Sequence, residues 1–335
     1  MNLDWMSRSR LRARGTVKGS LRWYRTRAAP ARYALVLIAT LVAVALRLTV
    51  PGFYSSTLAF DVLRQASFLG LVALGQTLVL LVAGIDLSVG AVIGMAVVTL
   101  AEFGQGGASL LIVAVATVLL IGVAIGTING LLVTVRNVPP FIATFGMAIL
   151  IQGARLAYTE GVPSGNIPQA IRPLGLAGIG IVPYSFLLWL ASTALVWVAL
   201  NRTVYGRQVY ATGINREAAR MAGVPVNRIV LSTYILCSVC AALGGLVLSA
   251  YVGYVDRYLG TGFELDSIAA AVVGGTSFVG GRGGVLGTVT GVFFLTILLN
   301  VLLLAGLNRQ LQLVVKGVVI VGAVGLYGLR HVQKQ

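Results

Sequence analysis

Apolar residues along this chain neither alternate nor recur on a helical stripe; they run in long unbroken blocks. Ala108 to Val135, Pro173 to Asn201, Ile229 to Val255 and Gly283 to Asn308 contain no charged residue. A helix needs about 20 apolar residues to cross a bilayer, and each block is long enough. With the shorter blocks added, the pattern predicts an all-α integral membrane protein of about ten spans. These fall near 33–50, 63–83, 87–103, 109–134, 138–158, 181–200, 229–253, 266–281, 284–305 and 310–329. The organisation that follows is a basic tail over 1–32, a membrane domain over 33–329 with one long loop at 202–228, and a short tail over 330–335.

Composition agrees. The 335 residues are 58% hydrophobic and 10% charged, where soluble domains carry about 25% charge. The net charge of +16 raises a nucleic-acid reading, but its distribution speaks against one. Arg8, Arg10, Arg12, Arg14, Lys18, Arg22, Arg25, Arg27 and Arg32 crowd ahead of the first expected span, as in a cytoplasmic flank held near anionic lipid. The segment 202–228 adds Arg202, Arg207, Arg216, Arg220 and Arg228 against Glu217 alone. Both termini are therefore expected in the cytoplasm. No small-residue cleavage site follows the tail, so the first span is expected to stay as an anchor.

Two blocks are short. Leu87–Ala101 follows Asp86 and Ile268–Gly281 follows Asp266; at about 1.5 Å per residue each covers roughly 22 Å, less than a hydrocarbon core of about 30 Å. Their flanks, Gly84-Ile85-Asp86-Leu87-Ser88 and Gly262-Phe263-Glu264-Leu265-Asp266-Ser267, look alike. Interrupted segments at matching places in two halves point to a translocation site, so an inverted repeat of spans 2–5 and 7–10 is a possible architecture. Glycines four apart, as at 122, 126 and 130, suit close helix approach in lipid.

Chemistry is sparse. The glycine-rich stretch Gly274–Gly284 lacks the Gly-Lys-Ser/Thr ending of a phosphate loop. The single histidine, His331, supports no nucleophile–base pair, and no paired carboxylates stand at working spacing. Cys237 and Cys240 share a helix face without two further ligands for a metal, and read as packing. No cofactor and no metal are expected. What remains is polarity at membrane depth, which faces a bundle interior or a water-filled path: Gln76, Asp86, Ser88, Asn129, Thr144, Gln152 and Asn300 as path candidates, with Arg155, Thr276 and Ser277 nearby. For Asp86 and Ser88 the competing reading is a cap on the short third span. For Asn129, Gln152 and Asn300 it is interhelical hydrogen bonding.

The loop 202–228 carries a self-contained helix over 216–222. Asn215 can cap it, Glu217 sits near its positive end, Gly223 ends it and Pro225 prevents its continuation. A small Ala-rich helix with charged flanks suits docking into a partner's groove.

At these residues the sequence resembles the permease subunits of bacterial ABC importers for ribose, xylose, arabinose, galactose and the autoinducer-2 signal. The resemblance runs from about 35 to 329. It is carried by Gly84-Ile85-Asp86-Leu87-Ser88-Val89-Gly90, Val138-Pro139-Pro140-Phe141-Ile142-Ala143-Thr144, Gly213 to Gly223 and Gly274 to Gly284. Glu217-Ala218-Ala219 matches the family's coupling loop, with Gly223 downstream, and the resemblance makes Gly213, Asn215, Glu217, Ala218, Ala219 and Gly223 the ATPase-coupling residues. It implies a non-catalytic subunit of the inner membrane working by alternating access. Its partners would be a second permease subunit, identical or not, cytoplasmic ATP-binding subunits, and a periplasmic or lipoprotein sugar-binding protein. The alternatives are the permease of a branched-chain amino-acid importer, which must handle a zwitterion, and an ion-coupled secondary transporter, which needs ionisable residues deep in its spans.

Overall fold

The computed structural model describes residues 56–102 and 110–332. The expected first span, 33–50, and the tail 1–32 lie outside the described residues, as does Lys334. The chain is helical almost throughout: α1 (Ser56–Leu81), α2 (Val89–Glu102), α3 (Leu111–Thr134), α4 (Pro140–Tyr158), α5 (Arg172–Leu176), α6 (Tyr184–Arg202), α7 (Val204–Ile214), α8 (Arg216–Met221), α9 (Val226–Val252), α10 (Phe263–Val273), α11 (Val285–Leu304) and α12 (Arg309–Val332). Between α5 and α6, Gly178–Ile179 and Val182–Pro183 form a small antiparallel hairpin with Gly178 opposite Pro183.

Six of these helices, α1, α3, α4, α6, α9 and α11, are long and apolar enough to cross a membrane. The charge-free blocks form them because lipid offers the backbone no other hydrogen-bond partner. Proline stands in the first turn of α4, where its missing N–H costs nothing. Gly253, left-handed at φ 86°, ends α9.

The buried α9 is the axis, packed by α1, α2 and α3. A Cβ on Gly75 of α1 would lie 2.8 Å from the Cα of Cys237, and one on Gly126 of α3 2.6 Å from that of Ile235. Close backbone approach at these glycines therefore brings the central helices together around a core of buried Leu, Ile, Val and Tyr234. Cys237 and Cys240 are buried free thiols in that packing. At the periphery, Lys316 of α12 and Asp266 of α10 form an ion pair.

Two segments depart from the expected boundaries. The block 266–281 is helical only to Val273, because the loop after it holds Gly275, Gly280, Gly281, Gly283 and Gly284 at φ between 66° and 156°, conformations outside any helix. Helix α1 begins at Ser56 rather than near 63. Arg64 pairs with Asp61 and lies 4.2 Å over the Tyr251 ring, so Asp61 sits within the helix instead of before it.

Candidate functional site: two interrupted helices and a surface helix

The first interruption separates α1 from α2. Helix α1 closes with Gly84 N–H on the Val79 carbonyl and Ala83 N–H on that of Leu80, both at 2.9 Å, with Ala83 left-handed at φ 57°. This is a glycine-type helix end made by alanine. Residues 84–88 are then non-helical and need other partners. With its amide oxygen and nitrogen assigned so that both find partners, the Gln76 carboxamide donates to the Asp86 carbonyl at 3.1 Å and accepts the Asp86 N–H at 3.2 Å. Thr144 Oγ1 accepts the Leu87 N–H at 3.1 Å, and the Tyr234 hydroxyl donates to the Ile85 carbonyl at 3.4 Å. Asp86 Oδ1 accepts from Ser88 N–H at 2.9 Å and from Ser88 Oγ at 2.6 Å, while Asn129 Nδ2 donates to Ser88 Oγ at 2.9 Å.

Five expected site residues, Gln76, Asp86, Ser88, Asn129 and Thr144, thus converge on one turn of backbone, all with 0% exposure. Asp86 Oδ2 and Asn129 Oδ1 are left without a protein partner. Chemically the network fixes the shape of the break. In this conformation its members face one another rather than a passage.

The second interruption precedes α10. The chain leaves α9 at Gly253 and returns into the bundle, where its backbone lies on α2. A Cβ on Gly260 would overlap the Gly90 carbonyl, and one on Gly90 would overlap the Glu264 carboxylate. Both Glu264 oxygens lie 3.1 Å from the Gly262 N–H. Arg155 of α4, 6% exposed, covers the loop from the other side and donates to the carbonyls of Arg257 at 2.7 Å and Leu259 at 3.5 Å.

Depth follows from the packing. Gly245 of α9 lies against Ile93, about 10 Å from the Val252 end of that helix, and Gly90 is about one turn further in. The N-terminal ends of α2 and α10 therefore meet well inside the bundle, and the two short helices leave that level toward opposite ends: α2 beside Gly245, α10 until Gly274 packs on Gly287 of α11. Neither Glu264 nor the loop geometry was expected as part of a site. The only signal was the likeness of 262–267 to 84–88.

The other candidates lie apart. Asn300 of α11 exchanges amide hydrogen bonds with Gln65 of α1, at 3.0 and 3.3 Å. Gln152 is exposed on α4.

In the loop 202–228 stand two helices, α7 and α8. Thr203 caps α7 by accepting the Gly206 N–H at 3.4 Å. The Tyr205 hydroxyl pairs with Ser232 at 3.0 Å, and burial pushes its pKa up. In α8, Asn215 Oδ1 accepts the Ala218 N–H at 2.9 Å. Gly223, at φ 79°, closes the helix with Val224 N–H on the Ala219 carbonyl. Ala219 is buried; Glu217, Ala218, Arg220 and Met221 are exposed, with Glu217 and Arg220 paired at 2.9 Å. The result is a pre-formed knob with an apolar tip, suited to a groove.

Comparison with known proteins finds relatives over most of the chain. The family described as branched-chain amino acid transport system / permease component matches residues 58–324. The ribose import permease protein of Escherichia coli (strain K12) is 39% identical over 301 residues, 86% of this chain and 91% of that protein. The galactose/methyl galactoside import permease protein of Haemophilus influenzae is 35% identical over 306 residues, 85% and 90%. The ribose import permease protein of Bacillus subtilis is 35% identical over 276, 82% and 85%. No solved structure matches the chain significantly.

Proposed function

The chain belongs to the family of branched-chain amino acid transport system permease components, and from that premise we propose that it forms the translocation path of an ATP-driven importer for a monosaccharide. It is a multi-pass membrane protein, and its place is the bacterial inner membrane. The observation that carries the sugar assignment is its likeness, over most of its length, to ribose and galactose import permeases.

In this reading the membrane domain is 33–329, with ten spans and both termini cytoplasmic, so the Val226 end of α9 faces the cytoplasm. Helices α1–α4 and α9–α12 are two inverted repeats. Their interrupted segments bring the N-termini of α2 and α10 together inside the bundle, where partial positive charge favours a hydroxyl oxygen without a fixed cation. Gln76, Asp86, Ser88, Asn129 and Thr144 hold the first break and border the path when the bundle opens; Gln152 and Asn300 contribute from α4 and α11.

A second permease subunit completes the path. Cytoplasmic ATP-binding subunits receive the exposed face of α8 at Asn215, Glu217, Ala218 and Gly223, while the buried Gly213 and Ala219 seat the helix on the bundle, and a sugar-binding protein delivers cargo to the opposite face. The chain itself catalyses nothing.

The family's description favours a second reading, an amino-acid permease. A zwitterion needs a carboxylate and a cation free to receive it. Glu264 and Arg155 both lean on α2 near Gly90 and Gly94, but Glu264 is engaged by Gly262 and Arg155 by the carbonyls of Arg257 and Leu259, which favours the sugar. Thermal-shift screening of the cognate binding protein decides between them. Stabilisation by pentoses or hexoses is expected; stabilisation only by leucine, isoleucine or valine replaces the sugar reading with the amino-acid one.

A further inference from the structure

Helices α7 and α8 meet at a corner, Gly213 to Arg216, that is wedged against the backbone of both inter-helix segments at this end of the bundle. A Cβ on Gly213 would overlap the Leu81 carbonyl, at the last turn of α1. A Cβ on Gly280 would lie 2.8 Å from the Gly213 carbonyl oxygen and 2.9 Å from the Ala83 nitrogen; one on Gly281 would lie 2.9 Å from the Ile214 nitrogen. The three backbone segments meet closely, with the Ile214 side chain and the Ala83 methyl packed in the same contacts. They are also tied directly. Gly281 N–H donates to the Leu81 carbonyl at 2.9 Å, Arg216 donates to the Val82 carbonyl at 2.9 Å, and the Tyr210 hydroxyl donates to the Gly283 carbonyl at 3.1 Å.

Each tie leads to an interrupted helix. From Val82 the chain passes through Ala83 and Gly84 to the Asp86 network and α2. Gly280–Gly284 is the latter half of the segment Gly274–Gly284 that joins α10 to α11, and Thr288 in the first turn of α11 meets Thr77 of α1 at 2.6 Å. Close-packed backbone transmits displacement because it has no soft rotamers to absorb it. A mere connection between spans requires neither the glycine contacts nor the arginine tie.

We infer that this joint, Gly213–Arg216 seated on Leu81–Ala83 and Gly280–Gly281, is the transmission element of the transporter: a displacement of α8 reaches the segments leading to α2 and α10 together, as one rigid piece. Arg216, Gly280 and Gly281 act in it as positioning residues. The inference rests on the reading that α8 docks on the ATP-binding subunit.

The test uses the assembled transporter with its ATP-binding subunits and binding protein. Arg216→Ala removes the tie at an exposed side chain and leaves the bundle intact. Gly280→Ala pushes a methyl group into the joint. Both variants are expected to retain the ATP-binding subunits and basal ATP hydrolysis, while uptake and stimulation of hydrolysis by loaded binding protein fall about tenfold, the scale of a site-to-site coupling energy. Wild-type uptake by Arg216→Ala, or by Gly280→Ala, overturns the inference. Glu217→Lys separates the two levels. If it binds the ATP-binding subunit and transports normally, the docking reading itself fails; if it loses coupling while Arg216→Ala and Gly280→Ala do not, only the joint fails.

Discussion

Gln76 and Asp86 pair as two strands of a sheet would once the amide is assigned to satisfy both its ends, the carboxamide of one donating to the backbone carbonyl of the other at 3.1 Å and accepting its N–H at 3.2 Å. A side chain of α1 thereby replaces the helical partners that residue 86 lacks. In a fully buried position both backbone groups require such a partner.

Replacing Gln76 by leucine keeps the volume and removes both bonds. Each orphaned group costs about 1–3 kcal/mol, so the purified protein is expected to melt several degrees lower in detergent. An unchanged melting curve would mean that the break finds its partners elsewhere.

Gly90 and Gly146 make a matched pair for the second interruption. A methyl group on Gly90 meets Glu264 and the Gly260 carbonyl oxygen, whereas Gly146 has nothing within 4 Å. Gly90→Ala is expected to lower uptake by an order of magnitude or so, the penalty for a small displacement in a positioned site, with normal membrane insertion. Gly146→Ala is expected to be neutral in the same uptake assay. Equal behaviour of the two variants would contradict the placement of the α10 loop on α2.

Much of this arrangement is legible in the chain itself. Charge-free blocks mark the helices, and Asn215, Glu217 and Gly223 mark α8, because caps and apolar runs are local signals. The end of α10 is hidden because Thr276, Ser277, Phe278 and Val279 carry no charge and let the stretch read as continuous helix, while the decisive left-handed glycines leave the charge pattern unchanged. The start of α1 is hidden because Asp61 reads as a charge ahead of the span, whereas it pairs with Arg64 inside the helix. Helix α7 carries Arg207 and Gln208 and no long apolar run. The meeting of Glu264 with Gly90, and of Gly213 with Leu81, joins segments far apart in sequence and has no local signature.

Arg155 holds the re-entrant loop by its carbonyls. Arg155→Met preserves much of the packing and removes the donors, leaving the carbonyls of Arg257 and Leu259 without them. Hydrogen exchange is expected to accelerate selectively over 253–262, with uptake reduced several-fold; hydrogen bonds to charged groups contribute about 1.5–3 kcal/mol. Unaltered exchange in that loop would show that the Gly90 and Gly94 contacts suffice to seat it.

The most direct measurement is uptake of radiolabelled monosaccharide into proteoliposomes holding this chain with its ATP-binding subunits, with loaded binding protein outside and ATP inside. The account predicts accumulation of a pentose or hexose that requires ATP and binding protein and is lost in Glu217→Lys. Accumulation driven by an ion gradient without ATP, or ATP-dependent accumulation of leucine and not of sugar, would contradict it.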